Sequence, residues 1–213
     1  ALAQAVGRSG RVVGVDADSE AVSSARDYVA ACGFEDVDVA VGRAEDTGLG
    51  AESQDVVMMR HVLAHNGGRE DQIIAHLASR LVPGGSLYVV DADVTGASLS
   101  PADRDIADLG DRYVAWHAWR GNDMRAGPHL AGRLRAAGLH VEVEHCMSVT
   151  TPLGDGVRPP AWAARAALRE AGLATDQDIA RWSAAFQRIE ASQIRYEGSI
   201  PLYVAIGRKG GAR

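Results

Sequence analysis

The chain has 213 residues and a mass of 22.4 kDa, enough for one domain with a sizeable core and too much to need metal or disulfide staples. Its 22 basic residues are outnumbered by 28 acidic ones, and a net charge of −6 with a pI near 5.6 argues against a nucleic-acid partner, which calls for a basic face. Cys32 and Cys146 stand alone, no apolar run approaches the roughly 18 residues of a membrane span, and the start ALAQAVGRSG lacks a secretory pattern, so a cytoplasmic, globular protein with no membrane partner is expected.

In chain order, the first half alternates short apolar runs with helical patterns, the mark of βαβ units and a parallel sheet. Arg11 to Val15 reads as a buried strand that ends at Asp16. Asp18 or Ser19 then caps a helix whose apolar positions Val22, Ala25, Val29 and Cys32 recur every three or four residues, with Gly33 as its stop. Strands follow at Val37 to Val41 and Asp55 to Met59, and a helix at Arg69 to Val82, closed by Pro83-Gly84-Gly85 ahead of a strand at Ser86 to Val90.

The second half should open with a helix at Ser100-Pro101-Ala102-Asp103, where a cap, a first-turn proline and an acid coincide. Another helix spans Pro128 to Ala137, and Leu139 to His145 alternates apolar and polar residues, as a strand near a sheet edge does. Pro159-Pro160 starts a further helix, Thr175 caps one that carries Ile179, Trp182, Phe186 and Ile189 on one face, and Ile200 to Ile206 is the closing strand. Aromatic residues divide the halves: residues 1–110 hold only Tyr28, Phe34 and Tyr88, whereas all four tryptophans lie beyond.

The strongest single signal is Asp16 at the carboxyl end of a strand. In open α/β sheets ligands sit beyond those ends, where an acid can accept hydrogen bonds from both hydroxyls of a ribose; the same acid can also simply cap a helix. Asp16 alone does not separate a nicotinamide cofactor from another adenosine-bearing one.

GRVVGVDAD, VGRAED, QDVVMMRHVLAH and LVPGGSLYVVD occur in that order and spacing, and together they resemble class I S-adenosylmethionine-dependent methyltransferases. The likeness is greatest to the small-molecule branch that includes quinone-biosynthesis C-methyltransferases. It is close over residues 1–95 and looser through AGPHLAGRLRAAGLHVEVE to PLYVAIGRK. The resemblance implies a single α/β domain over residues 1–213 with a Rossmann-like sheet, helices on both faces and an antiparallel last strand at 200–207. Residues 1–95 would hold the cofactor, and residues 96–199 would supply helical insertions over the acceptor. It also implies a central first strand and a glycine-rich turn ahead of Ala1, because the strands ending at Asp16 and Met59 would otherwise expose two internal edges.

Carried over by position, the resemblance places Asp16 on the ribose of S-adenosylmethionine and Ala17 along the adenine. Arg43, Ala44 and Glu45 fall on the loop that presents a backbone N–H and an acid to the adenine edge, and Arg60 and His61 on the methionine end. Arg43 stands where the acid is usual, and a guanidinium cannot accept from the adenine amino group, so Glu45 or Asp46 must serve.

The acceptor side is expected on the segment Tyr113 to Trp119, where Tyr113, Trp116 and His117 share a helical face. His117 is one candidate base and His65 the competing one, while tryptophan and tyrosine at this spacing also suit a core. Trp162, Trp182 and Phe186 read as a lid or a homodimer surface. The expected activity is methyl transfer to an oxygen or carbon of a small hydrophobic or aromatic acceptor, with no metal. The alternatives are an inactive methyltransferase-like binding domain, suggested by Arg43 and the absent glycines, and a nicotinamide oxidoreductase, which leaves the Pro-Gly-Gly element unexplained.

Overall fold

A computed structural model describes residues 2–7, 9–154 and 156–211. After a short helix α1 (Leu2–Val6), β1 (Val12–Asp16) pairs in parallel with β2 (Val37–Val41), and α2 (Ser19–Ala31) makes the crossover. The Asp18 carboxylate accepts from the Glu20 and Ala21 N–H groups, which satisfies free donors at the start of α2 and fixes where the chain leaves β1. Gly33 closes α2 at φ +69°, a left-handed turn that glycine adopts without strain.

The next parallel pair is β3 (Gln54–Arg60) with β4 (Leu81–Ala92), connected by a 3-10 turn (Leu63–His65) and α3 (Glu70–Arg80). Here the structure shifts the expected boundaries. The chain is already extended at Leu81, two residues before Pro83, and β4 runs through Pro83-Gly84-Gly85 instead of starting after it. Gln54 pairs with Leu81 across a bulge, and the Gly84 N–H donates to the Lys209 carbonyl, so the glycines are held at the sheet rather than turned away from it.

Beyond β4 come β5 (Ser98–Ser100), α4 (Arg104–Trp119), α5 (Ala126–Ala136), β6 (His140–Leu153), α6 (Pro160–Ala163), α7 (Arg165–Glu170), α8 (Asp176–Ala191) and β7 (Tyr196–Arg208). The cap of α4 is Asp103, whose carboxylate accepts from the Asp105 and Ile106 N–H groups; the expected start at Ser100 is instead the end of β5. Thr175 does cap α8, through a reciprocal pair in which its hydroxyl accepts from the Asp178 N–H and the Asp178 carboxylate accepts from the Thr175 N–H. Thr175→Ala should therefore lower stability by about 1 kcal/mol in chemical denaturation. A loss indistinguishable from zero would show that the packing of α8 alone holds it.

β7 is antiparallel to β4, β5 and β6, as expected of a closing strand. It pairs with β6 from Arg208 to Tyr196, so β6 extends well past the alternating stretch that ends at His145. Ser148 to Pro152 are strand because β7 supplies a ladder, a long-range cause that local periodicity does not carry.

Among the described residues the strands form two sheets, β1–β2 and β3–β4–β7 with β5 and β6 both on β7. The unpaired edges of β1 and β3 turn toward one cavity. These are the edges between which the resemblance places a central strand, and neither is paired among the described residues.

Apolar packing gathers in two clusters. Met59, Leu63, Ile73, Leu87 and Leu130 belong to the first, where α3 and α5 lie on β4. Ile106, Leu109, Leu168, Trp182 and Phe186 belong to the second, built by the helices inserted between β4 and β7. Trp182 and Phe186 are buried and Trp162 stacks edge-on to Phe186 at 5.1 Å, so these rings are the core of the cap rather than the lid or dimer surface expected. Trp182 also donates its indole N–H to Asp108 at 2.9 Å, within a network in which Arg112 and Arg181 bridge Asp108 and Asp178. Tyr113 packs against both clusters, which places the start of the aromatic segment at their junction.

Candidate active site

The cavity between the two sheets has a volume of 540 Å³. That lies within the range of about 300–1,000 Å³ common for small-molecule and cofactor sites. Its walls carry Val13 and Val15 from β1, Val56 and Met58 from β3, and at the carboxyl ends of the strands Asp16, Ala17, Arg43, Ala44, Glu45, Arg60, His61 and His65. All seven residues that the sequence assigned to the cofactor thus face one space, although they come from three separate strand ends.

Asp16 is exposed at the end of β1. One carboxylate oxygen accepts from the Asp18 N–H at 2.9 Å, and the other carries no hydrogen bond among the described residues. One acceptor orients the side chain, and the second remains for a ligand.

In the following loop the Arg43 and Asp46 backbones bond each other in both directions, at 2.9 and 3.0 Å, so the Arg43 N–H is committed to the turn. The Ala44 N–H makes no backbone bond among the described residues and lies at the cavity wall. Glu45 is tied down: one carboxylate oxygen accepts from Arg43 at 2.7 Å and from Arg69 at 2.8 Å. The hydrogen bond from Arg43 is the main reason its carboxyl titrates below the usual range. Asp46 is exposed and is not among the cavity residues. The acid that the loop presents is therefore Glu45, and Arg43 acts as its partner.

On the opposite wall, β3 ends at Arg60 and His61. His61 has φ +55°, a left-handed conformation uncommon for a residue with a side chain, and its N–H donates to the Val90 carbonyl at 2.9 Å. Asp91 enforces this bend. Its buried carboxylate accepts from the Leu63 N–H at 3.0 Å, the Ala64 N–H at 3.3 Å and the Ala92 N–H at 2.9 Å. A buried carboxylate that receives three N–H groups is well satisfied, and the turn that carries His65 is pinned at its start.

His65 and His117 come together from distant parts of the chain, with ring centres 5.1 Å apart. His117 is 6% exposed, with Tyr113 at 4.4 Å and Trp116 at 4.7 Å. Burial, then the neighbouring His65 and the Arg120 guanidinium, push its pKa down to about 4. The two candidate bases are thus in contact, with His65 on the cavity and His117 behind it. Trp119, which ends the aromatic segment, is 76% exposed. A helix turns 100° per residue, and six positions from Tyr113 the face has rotated out of register.

The sequence reading missed Asp91 and Asn122. Asp91 is marked by its place: an acid closing the apolar run LYVV is the same signal that identified Asp16 at the end of VVGV. Asn122 lies in the break between α4 and α5 and has no local signature; only the fold brings it to His117.

Residues 1–85 match a family model described as a methyltransferase domain, a stretch shorter than half the chain. Among solved structures, the chain resembles a protein of Bacillus halodurans C-125 assigned as a methyltransferase, with a TM-score of 0.59 and 19% identity over 94% of this chain and 84% of that one. It also resembles the [4+2]-cyclase SpnF (TM-score 0.53, 19% identity, 99% and 70% covered). A third is a phosphoethanolamine N-methyltransferase of Haemonchus contortus, solved with S-adenosylhomocysteine (TM-score 0.53, 14% identity, 94% and 44% covered). No curated protein matches the sequence. At these identities the structures establish the fold, which is Rossmann-like. The likeness to a methyltransferase domain in sequence is confined to residues 1–85. The matched stretch ends in the Pro-Gly-Gly segment of β4 and leaves the helices inserted between β4 and β7 outside it.

Proposed function

We propose that this chain binds S-adenosylmethionine in the part of the cavity that lies at the carboxyl ends of β1, β2 and β3 and transfers its methyl group to an oxygen or carbon of a small hydrophobic or aromatic molecule. The observation that carries this reading is the convergence of Asp16, Ala44 and His61 on one cavity, each from a different strand end. The free oxygen of Asp16 suits two ribose hydroxyls, and the free Ala44 N–H suits an adenine ring nitrogen. Arg60 and His61 stand at the other wall, toward the pair of histidines. When bound, the cofactor supplies a methyl group on a sulfonium centre. The chain's part is then to align the acceptor, exclude water and, for a hydroxyl, take a proton. The apolar side chains around His117 favour an uncharged aromatic or aliphatic body for the acceptor, in keeping with the small-molecule branch that the sequence resembles. Exposed, unpaired Cys32 and Cys146 suit a reducing compartment, which supports a cytoplasmic setting.

Calorimetric titration with S-adenosylmethionine and with S-adenosylhomocysteine tests this. Saturable binding of both, one per chain, is expected. Absence of heat with either from the natural full-length protein would remove the enzyme reading. One observation favours a second reading, an inactive binding domain: Arg43 and Arg69 neutralise Glu45. Binding without methyl transfer to any of a panel of phenols and enols would support it.

A further inference from the structure

We propose that Asn122 is a positioning residue that fixes His117 as a hydrogen-bond donor through Nε2, so that proton abstraction from the acceptor falls to His65 alone. This deepens the methyltransferase reading and rests on it.

The Gly67 backbone N–H can only donate. The Gly67 N–H points at the side-chain oxygen of Asn122 at 3.2 Å. An amide oxygen accepts and an amide nitrogen donates, so turning the Asn122 amide over would set two donors against each other. The oxygen is therefore committed to Gly67, and the NH2 group faces His117 Nδ1 at 2.8 Å. Nδ1 must accept that bond. In a neutral imidazole the proton then resides on Nε2. Nε2 has no hydrogen-bond partner among the described residues, nor is it one of the enclosed atoms that lack one, so it remains open to a ligand or water.

A base needs a free lone pair on an accessible nitrogen. On His117 the Nδ1 lone pair is taken by Asn122 and Nε2 bears the proton, so the ring offers an N–H. The groups facing it are His65 from the turn after β3, Tyr113 and Trp116 from its own helix, and Arg120 at the end of that helix. None is an anion that would pull a second proton onto the ring, in keeping with its depressed titration. His65, exposed on the cavity, carries no such constraint. The acceptor that suits this pair has an ionisable hydroxyl, such as a phenol or enol. His65 takes the hydroxyl proton, and His117, behind it, has no free lone pair with which to compete for that proton. The oxygen, or a conjugated carbon, bonds to the methyl carbon while the carbon–sulfur bond breaks with its electron pair left on sulfur. His65 then releases the proton to solvent.

The test is nitrogen NMR of the histidine rings in the full chain, assigned to His117 by comparison with His117→Gln. Wild-type His117 should show Nε2 protonated and Nδ1 unprotonated throughout the neutral range. Asn122→Asp keeps an oxygen for the Gly67 N–H but replaces the donor at Nδ1 with a carboxylate. It should move the proton to Nδ1, or make the ring an imidazolium at neutral pH, and raise its titration midpoint from about 4 by more than one unit. A wild-type ring protonated on Nδ1, or an unchanged tautomer in Asn122→Asp, would overturn the proposal. Wild-type NMR needs no variant, so a misfolded Asn122→Asp leaves the test intact. Calorimetry with S-adenosylmethionine is the separate arm: no binding there removes the methyltransferase reading, whatever the tautomer shows.

Discussion

Asp16→Ala should weaken S-adenosylmethionine binding by about 10- to 100-fold, since a hydrogen bond to a charged group contributes roughly 1.5–3 kcal/mol and each 1.4 kcal/mol is tenfold. The loss should appear in binding and not in folding. The Asp16 carboxylate uses one oxygen to accept from the Asp18 N–H, so its removal frees a local turn. The helix that follows has its own cap, because Asp18 accepts from Glu20 and Ala21 independently. The thermal midpoint of Asp16→Ala should therefore lie close to that of wild type. Asp16→Asn separates charge from geometry: its amide oxygen can keep the turn to Asp18, while its NH2 can no longer accept from a ribose hydroxyl. Calorimetry should give Asp16→Asn a loss nearly as large as that of Asp16→Ala. Wild-type affinity in both variants would mean that Asp16 does not hold the ribose.

The cofactor wall was legible in the sequence because its determinants are local. Asp16 follows four apolar residues and precedes a capping Asp18, so both its strand and its exit are written within ten positions. The same holds for Thr175 and Asp178 at the start of α8, and for the periodic apolar face of α3. What escaped the sequence depends on pairing at a distance. Ser148 to Pro152 lies beyond the stretch that alternates, yet belongs to β6 because β7 runs alongside it. Trp182 and Phe186 had the right spacing for a buried face, but whether that face meets another helix of the chain or another molecule is a tertiary question. α4 and α8 answer it by packing on each other around Asp108 and its two arginines. Asn122 is the limiting case: its partners, Gly67 and His117, lie on either side of a close approach between two loops that no periodicity encodes.

Gly67→Ala should break that approach and cost stability at the upper end of the about 1–3 kcal/mol typical of overpacking. A Cβ built on Gly67 would lie 1.7 Å from the Gly121 carbonyl oxygen, 2.3 Å from its carbon and 2.7 Å from the Asn122 backbone nitrogen. All three are main-chain atoms, so no side-chain rotation relieves the clash, and the turn after α4 must withdraw. With it goes the hydrogen bond from Gly67 to Asn122, and with that the constraint on His117. The predicted signature is specific: a lowered denaturation midpoint, loss of the single His117 tautomer in nitrogen NMR, and S-adenosylmethionine affinity within about threefold of wild type, less than the tenfold that corresponds to 1.4 kcal/mol. The last follows because Asp16 and Ala44 lie on other segments of the cavity. Gly110→Ala is the control. It lies inside α4, its added Cβ meets nothing within 4 Å, and alanine in a helix interior is favoured over glycine by roughly 0.5–1 kcal/mol. It should stabilise the protein and leave His117 unchanged. If Gly67→Ala melted like wild type, the two loops would have room to part, and Asn122 could not hold His117 in one protonation state.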